Sequence, residues 1–430
     1  MKGKTPITRA DHTHSSCRES DMKDTVQYDV AVVGGGPAGF AAALSVARSG
    51  LSVTLLAPPP VRTDNRTAAL FTASVRLLEN LGAWEACYAT AEPLRAIRIV
   101  DDTGSLLRAP EVLFSAAEIG LETFGYNVPN LSLVEALLAR GAAAETLTVI
   151  ETASVRELEI GASQVNLKLA EGPQVAARLV IGADGRNSLS RQAAGIAAQT
   201  WTYDQSALTC TFTHQRSHDG VSTEFHRTGG PLTVVPAPGC SSSLVWVDRP
   251  AVARHLAELD DTAFRDALET RLQGLLGPVE EVSARRLFPL SGLKADAAGQ
   301  NRVALVGEAA HVLPPIGAQG LNLGLRDAAI LADCIDDALK QGRDFGGPET
   351  LAAYTHARSL DIATRAWSID VLNRSLISGF LPVQILRSLG LHALKAIGPL
   401  RRFAIREGLS PSFVTPRLML AEGDSTAHPS

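Results

Sequence analysis

The chain has 430 residues, of which 45% are hydrophobic and 20% charged, and its formal net charge at pH 7 is -5. This composition is typical of a globular protein with room for two hydrophobic cores, and it excludes a general attraction to nucleic acid. The five cysteines are scattered and lack a C-x-x-C spacing, which argues for a reducing compartment and against a disulfide framework.

The first 25 residues are polar and charged and contain no apolar core of a signal peptide. We expect residues 1–25 to form a disordered tail, and this interpretation is favoured over a metal site at His12, His14 and Cys17. The most apolar window, residues 30–46, holds four glycines and a proline. It therefore indicates a buried strand, turn and helix rather than a membrane span.

A dinucleotide-binding βαβ unit follows this tail. A predicted strand over residues 28–33 leads into G-x-G-x-x-G at Gly34, Gly36 and Gly39, then an alanine-rich helix and a second strand over residues 52–56. In such a unit the first glycine permits a tight turn, the second lets the backbone approach a pyrophosphate, and the third brings helix and sheet together. The sequence therefore predicts a bound dinucleotide.

The second strand departs from this pattern at its end. An acid normally stands there to hold the adenosine ribose, but this chain has Ala57 followed by three prolines. Another group must bind the ribose if anything does. We expect Arg62 or Arg66 to cover the adenosine half of the cofactor, and Arg66 is the better candidate.

The next segments alternate between helix and strand patterns. Helical spacing of apolar residues predicts helices over Thr72–Trp84 and Asn130–Arg140, with Asn130 as the N-cap of the second helix. Strand-like alternation predicts strands between these helices and again over residues 147–181. The strand pattern ends at Asp184-Gly185, which would be an ordinary turn if it stood alone.

Residues 200–290 have the Thr/Val/Phe alternation and the glycine and proline turns of an antiparallel sheet inserted into the nucleotide-binding domain. His214, His218 and His226 are close in sequence but lack a carboxylate pattern, so we expect no metal site.

Residues 301–340 contain a short apolar strand, a loop with prolines and glycines, and a long amphipathic helix that Gly342 terminates. Free backbone N–H groups and the helix dipole both face such a loop. We therefore expect an anionic group to bind there.

Three motifs together resemble those of the single-component aromatic-ring flavoprotein hydroxylases: the glycines of residues 34–39, ADGRNSLSR at 183–191 and GEAAHVLPPIGAQGLNLGLRD at 307–327. The chain is most similar to the ubiquinone-biosynthesis ring hydroxylases, through RTAAL-x(4)-VRLLENLGAW, EFHRTGGPLTVVP and the last motif. Glu308 stands where most members have Asp, and its carboxylate can still accept a hydrogen bond from a ribityl hydroxyl.

The resemblance implies an α/β fold with a Rossmann-like FAD-binding domain, an inserted antiparallel-sheet substrate domain and C-terminal helices. The expected domains are FAD binding at 26–85, 125–195 and 296–345, substrate binding at 86–124 and 196–295, and a helical region at 346–430.

The resemblance also implies roles for individual residues: His311 and Pro314 border the flavin ring, while His226 and Arg227 border the substrate. The implied FAD-binding residues are Gly34, Gly36, Ala38, Gly39, Arg66, Asp184, Gly185, Glu308, Gly317, Gln319, Gly320, Leu321 and Asn322. Arg186 and Arg191 are candidates for the phosphates of the pyridine nucleotide.

The resemblance also implies the reaction. NADH or NADPH would reduce FAD, and O2 would hydroxylate the ring of a polyprenylated phenol through a flavin C4a-hydroperoxide. Membership of a ubiquinone-biosynthesis complex would fit this pathway.

The C-terminal tail from Asn373 to Arg406 has six basic residues, no acidic residue and many interleaved apolar residues. This pattern favours either a peripheral contact with the inner face of the membrane or helices packed on the body of a cytoplasmic protein.

Two other functions stay open. A hydroxylase of a small soluble aromatic acid would need a buried arginine such as Arg227 for the carboxylate. A flavin-binding assembly subunit without turnover would fit the departures at Ala57 and Glu308.

Overall fold

One half of the chain is built on a sheet whose centre is parallel. The structure, a computed structural model, describes residues 25–59, 64, 66–104, 109–377, 392, 396–409 and 415–421. The strand order is β18-β19-β11-β1-β2-β8, and an antiparallel hairpin of β9 and β10 extends from β11. The strands are β1 (Thr25–Val33), β2 (Val53–Ala57), β8 (Leu147–Glu151), β9 (Val155–Ile160), β10 (Val165–Leu169), β11 (Gln174–Gly182), β18 (Gly299–Gln300) and β19 (Val303–Leu305).

Helices cover one face of this sheet because the apolar side chains of β1, β2 and β11 face them. The covering helices are α1 (Pro37–Ala47), α4 (Asn130–Ala142) and α8 (Gln319–Lys340). The alanines of α1 allow it to pack closely on both α4 and α8. The other face packs against β9, β10 and the short helix α5 (Leu189–Ala193).

A second sheet of nine strands forms the other half. Its order is β20-β17-β12-β15-β14-β13-β5-β6, with β16 beside β12. The predicted antiparallel sheet is corrected at one place, because β5 and β13 pair in parallel. The strands are β5 (Ala96–Asp101), β6 (Val112–Ser115), β12 (Ala198–His214), β13 (Val221–His226), β14 (Leu232–Ala237), β15 (Ser241–Asp248), β16 (Val279–Val282), β17 (Arg286–Ala295) and β20 (His311–Val312).

Two helices that the strand pattern did not predict, α6 (Pro250–Glu258) and α7 (Asp261–Leu272), pack on this second sheet. Asp260 caps α7 by accepting a hydrogen bond from the N–H of Ala263 at 2.8 Å. Since Phe264, Leu268 and Leu272 lie on one face at helical spacing, they fill the core beneath the strands.

A small sheet of β3 (Thr67–Phe71), β7 (Gly125–Pro129) and β4 (Glu92–Pro93) connects the two halves. The predicted helix over Thr72–Trp84 is instead α2 (Thr72–Asn80) and α3 (Trp84–Tyr88), divided at Gly82, whose φ is 72°. The predicted cap of α4 is also corrected. Asn130 is its first helical residue, and the Asn130 amide donates to Asp64 Oδ2 at 3.3 Å.

Two further helices lie near the C-terminus, α9 (Pro348–Ile377) and α10 (Gly398–Leu409). The buried Ile405 anchors α10 in a small cluster with Ala116 and Phe124, and Arg401 pairs with Glu118 at 2.7 Å. Much of the basic tail predicted from Asn373 lies outside the described residues.

Candidate active site

The glycine loop after β1 leaves room for a ligand. Gly34 has φ 117°, and a Cβ there would lie 2.2 Å from the carbonyl oxygen of Ala183. A Cβ on Gly39 would lie 2.0 Å from the carbonyl oxygen of Gly34, so this packing requires glycine. By contrast, a Cβ on Gly36 would meet nothing within 4 Å. The open space therefore lies at the glycine expected to face a pyrophosphate.

Two helix N-termini are open at this edge of the sheet. Neither α1 nor α8 has a side-chain cap or an acidic residue in its first turn. The two helices approach closely because Gly324 of α8 and the nearby Gly307 have no side chain. A Cβ on either glycine would lie 3.3 Å from the Cβ of Ala38 on α1. The positive ends of both helix dipoles are therefore available to one anionic cofactor.

Asp184 holds the turn after β11. Its carboxylate accepts hydrogen bonds from Ser188 Oγ at 2.5 Å and from the N–H of Ser190 at 2.9 Å. Gly185, at φ 76°, has open space where a Cβ would be. Arg191 is corrected as a candidate for the pyridine nucleotide, because it is 8% exposed and donates to the carbonyl oxygen of Ala309 at 2.9 Å.

The loop between β20 and α8 is fixed at its far end by Asn322. Asn322 Oδ1 accepts from the N–H of Phe71 at 2.9 Å and from Ser74 Oγ at 2.7 Å. Its amide donates to the carbonyl oxygens of Ala69 at 2.8 Å and Ala318 at 2.7 Å. The side chain predicted to bind FAD therefore ties α8 to β3 and α2.

The helix start itself is exposed. Ala318 has φ 53°, Gly317 has φ 63°, and a Cβ on Gly320 would meet nothing within 4 Å. Leu321 is partly buried against the core. Gln319 forms a short hydrogen bond with Arg365 of α9, and this contact fixes the Gln319 side chain.

A buried network of charges lies beneath this loop. Asp327 accepts from the N–H of Gly307 at 2.9 Å, and Arg358 Nε donates to its other oxygen at 2.6 Å. Arg358 also donates to Asp361 at 2.5 Å, and Asp361 pairs in turn with Arg326 at 3.0 Å and with Arg365. Three guanidinium groups and two carboxylates leave one positive charge in excess near the start of α8.

Opposing effects set the pKa of Asp327. Burial raises the pKa, but the neighbouring Arg358 and His311 outweigh it, so that the pKa of Asp327 lies below its ordinary value of 3.8. Asp361 shows the same balance, because Arg358, Arg326 and Arg365 hold its pKa below 3.8 against burial. Both carboxylates are therefore ionised at neutral pH.

His311 belongs to this network rather than to the open site. Its Nε2 lies 2.7 Å from Asp327 Oδ2, and its side chain is 1% exposed. The attraction of Asp327 turns the imidazole into the protein, and the expectation that His311 borders the flavin ring stays a prediction. Pro314, the other expected residue, does line the open cavity.

A cavity of about 510 Å³ lies between this loop and the second sheet. Glu308 and the run from Val312 to Pro315 form its cofactor side. Its sheet side is mostly apolar and is formed from strands β12, β15 and β17, with lining residues that include Ala207, Leu244, Val245, Phe288 and Leu290. Three arginines, Arg66, Arg186 and Arg286, also line it.

Arg66 lies at the edge of this cavity. Its guanidinium pairs with Asp64 at 2.8 Å and stands 5.7 Å from the centroid of the Phe288 ring. The hydrogen bond from Arg66 lowers the pKa of Asp64 to about 2. Arg66 is therefore close to Glu308 and Phe288, while Arg62 lies outside the described residues.

The two expected substrate residues are held by contacts within the second sheet. His226 is buried on β13 and its Nε2 lies 2.8 Å from Glu224 Oε1. Arg227 lies 3.5 Å from Asp102 and 3.9 Å from Asp248, and its guanidinium faces Trp246. Neither is among the residues that line the cavity described above, and the expectation that they border the substrate stays a prediction. Contacts with acidic side chains, which the motif alone does not reveal, hold both side chains.

The other clustered histidines make local hydrogen bonds. His214 lies 2.9 Å from both the carbonyl oxygen of Arg216 and Ser242 Oγ, and His218 lies 2.9 Å from the carbonyl oxygen of Ala237. Within the described ranges, no group of three or more His, Cys, Asp or Glu residues is arranged to hold a metal.

The geometry fits FAD. The open space at Gly36 suits a pyrophosphate, the exposed Glu308 carboxylate can accept from a ribityl hydroxyl, and the start of α8 faces the cavity that would receive the ring system. Sequence reasoning missed the partners of this loop on α9, Arg358 and Asp361. The only sequence signal was Asp327, the last residue of the motif at 307–327, and the motif does not identify the partners of that aspartate.

Comparisons with known proteins show the family of this chain. Residues 27–368 match the FAD-binding domain family. Ubiquinone hydroxylase UbiL of Rhodospirillum rubrum is 36% identical over 400 residues, covering 91% of this chain and 92% of that protein. The 3-demethoxyubiquinol 3-hydroxylase of Escherichia coli is 32% identical, covering 89% and 98%. The fold is similar to that of p-nitrophenol 4-monooxygenase PnpA from Pseudomonas putida, with TM-score 0.74, 20% identity and coverage of 91% and 100%. The chain therefore belongs to the FAD-dependent monooxygenases, in the family that includes the ubiquinone-biosynthesis hydroxylases.

Proposed function

We propose that this enzyme hydroxylates the aromatic ring of a polyprenylated phenol in ubiquinone biosynthesis, with FAD as cofactor and NADH or NADPH and O2 as co-substrates. The names of the relatives support the pathway. The observation that carries the substrate class is the cavity of about 510 Å³, whose sheet side is mainly apolar. The flavin ring system would occupy the cofactor side of this cavity, and the apolar sheet side beside it suits a phenol ring with the first part of an apolar chain.

The bound FAD supplies the redox chemistry that activates oxygen. The chain positions the reactants around it. Glu308 accepts a hydrogen bond from the ribityl chain, and the uncapped start of α8 stabilises negative charge at the ring system. Val312, Leu313 and Pro314 cover one side of the cavity and exclude water from the reacting ring.

The arginines of the cavity suit a phenol rather than a neutral hydrocarbon. Arg286 begins β17 and lines the cavity with Phe288 and Leu290. A guanidinium stabilises a phenolate relative to the phenol, and a phenolate ring attacks electrophilic oxygen more readily. Arg227, which a small aromatic acid would need, is already paired with two aspartates. The prenylated phenol therefore fits the described residues better than the soluble acid does.

Purified holoenzyme tests this proposal when it is supplied with a short-chain prenylated phenol and with a hydroxybenzoate. We expect NAD(P)H oxidation coupled to the gain of one oxygen atom only with the prenylated phenol. Leu290→Trp, which fills the cavity, should lower this rate at least tenfold, whereas Leu113→Trp at an exposed site on β6 should not change it. Coupled hydroxylation of the hydroxybenzoate alone would contradict the proposal.

The same function places the substrate in a bilayer, and we propose that α10 makes a peripheral membrane contact. Its Phe403 is 61% exposed, Leu400 is 41% exposed, and Ile397 just before the helix is 49% exposed. Arg402 and Arg406 are also exposed on this helix. Apolar side chains beside cations are what an anionic lipid surface binds. Among the described helices, none is long and apolar enough to span a membrane.

Vesicle sedimentation tests this contact. We expect the protein to bind vesicles that contain anionic phospholipid, and Phe403→Glu to lower binding at least fivefold. Leu113→Glu, at another exposed apolar position, is the matched control. Wild-type binding by the Phe403 variant would refute the membrane role. Membership of a ubiquinone-biosynthesis complex belongs to the same proposal, and co-purification of other enzymes of the pathway with the tagged chain would test it.

A further inference from the structure

The end of β2 faces the glycine loop but offers no acceptor. A Cβ built on Gly35 would lie 2.6 Å from the Cβ of Ala57, so position 57 faces the loop that contacts the dinucleotide. A ribose diol needs hydrogen-bond acceptors, and in this type of unit an acid at the end of the second strand provides them. A methyl group cannot do so. The adenosine of FAD must find its acceptor elsewhere or lack one.

The neighbouring strand carries a carboxylate beside this position. Strands β2 and β8 are parallel, and Ala57 is in register with Glu151, the last residue of β8. Leu147 and Val149 of β8 pack into the core on the side of α1, whereas Ile150 packs into the opposite core. Because side chains alternate along a strand, Glu151 lies on the side of α1, as Ala57 does.

The backbone around Glu151 is fixed. The N–H of Thr152 donates to the carbonyl oxygen of Ala57 at 3.0 Å, so the ends of the two strands stay together. Thr152 is 3% exposed and its hydroxyl donates to the carbonyl oxygen of Ser154 at 3.2 Å. Glu151 itself is exposed. Its carboxylate can therefore reach over the edge of the sheet while its Cα is held in place.

Asp64, the acid that follows β2 in the described sequence, is already engaged. Asp64 pairs with Arg66 at 2.8 Å and also accepts from Asn130 at 3.3 Å. Glu145 precedes β8 and thus lies at the opposite edge of the parallel sheet. Glu151 makes no hydrogen bond or ion pair with any residue that the structure describes.

We propose that Glu151 accepts hydrogen bonds from the ribose diol of the FAD adenosine, in place of the acid that β2 lacks. The adjacent strand then provides the function that the second strand usually has. This assignment depends only on FAD binding by the chain and not on the identity of the aromatic substrate.

Flavin binding to the protein freed of FAD tests the assignment, with flavin fluorescence as the readout. We expect Glu151→Gln to raise the Kd for FAD about tenfold, because a charge-assisted hydrogen bond is replaced by a neutral one. The Kd for FMN, which has no adenosine, should not change. Glu145→Gln, an exposed glutamate at the other edge of the sheet, should leave both values unchanged.

A second variant separates ribose recognition from damage to the fold. Ala57→Glu added to Glu151→Gln returns a carboxylate to the end of β2, and we expect it to recover most of the lost FAD affinity. A Kd for FAD within twofold of wild type in Glu151→Gln would overturn the assignment. Equal losses for FAD and FMN would also overturn it.

Discussion

Asp327→Asn is the most informative change in the buried network under the cofactor loop. The carboxylate is 1% exposed and accepts from the N–H of Gly307, from Arg358 and from His311. Asparagine keeps the shape, but its NH2 group must face a donor where an oxygen stood. The substitution also leaves Arg358 with only Asp361 to balance its charge.

The expected cost follows from burial. Removing one partner of a buried ion pair typically costs about 3–5 kcal/mol, because the remaining charge is left uncompensated in a region of low polarity. Asp337→Asn is the matched control on the same helix, since Asp337 also accepts from an arginine, Arg417, at 2.8 Å. Its side chain is 49% exposed, and exposed pairs contribute about 1 kcal/mol or less.

The assay is urea unfolding followed by circular dichroism at pH 7, with FAD affinity measured on the same samples. Because Asp327 holds the N–H of Gly307, the residue before Glu308, we also expect weaker FAD binding in Asp327→Asn. If this variant loses no more stability than Asp337→Asn, the network does not stabilise the loop as we infer.

The pH dependence of the unfolding free energy is a second test of the pairing of Asp327. An unfolded aspartate has a pKa of about 3.9, and the folded pKa of Asp327 is lower. A group with a depressed folded pKa stabilises the protein above the unfolded pKa, and this contribution is lost as the pH falls through the folded value. The stability difference between wild type and Asp327→Asn should therefore persist from pH 7 to pH 5 and shrink below about pH 4. A difference that already disappears at pH 6 would contradict this pairing.

Three other results are expected. Gly39→Ala should purify without flavin absorbance, because its Cβ would lie 2.0 Å from the carbonyl oxygen of Gly34; normal flavin content would be inconsistent with the close approach. Glu308→Ala should raise the Kd for FAD severalfold, because it removes the carboxylate, whereas Glu308→Asp keeps the carboxylate and should not. If Glu308→Ala bound FAD as tightly as Glu308→Asp, Glu308 would not contact FAD. In brief alkylation at pH 8 followed by mass spectrometry, the exposed Cys240 should react before the buried or partly buried thiols, and equal labelling would contradict the burial. Burial raises the pKa of these thiols to about 11 for Cys87, 12 for Cys210 and 11 for Cys334.

Local patterns predicted the nucleotide-binding core well. The spacing of Gly34, Gly36 and Gly39 after an apolar run indicates both the strand and the turn, because the positive φ of Gly34 and the close approach at Gly39 exclude other residues. The long amphipathic helix within residues 301–340 was also expected, and it is present as α8 (Gln319–Lys340).

Contacts between distant segments could not be predicted in this way. His311 faces Asp327, and Arg358 on α9 fixes that aspartate, but Arg358 is part of no motif and simply stands in a helical pattern. Similarly, the parallel pairing of β5 with β13 joins segments more than a hundred residues apart, and neither strand carries a signal for its neighbour. Helix α7 was missed although Phe264 and Leu268 have helical spacing, because the surrounding strand pattern dominated the interpretation.

The central strand β1 has a consequence for how the chain is made. Val30 pairs with Leu179 of β11, and β11 pairs in turn with β19, where Ile181 is opposite Ala304. A ribosome that adds about 5–20 residues per second delivers β11 roughly 7–30 seconds after β1 emerges, and β19 later still. The edge of an apolar strand is exposed to other nascent chains for all of that time. We therefore expect the yield of native protein to rise with slower growth or added chaperones, even where the finished fold is stable.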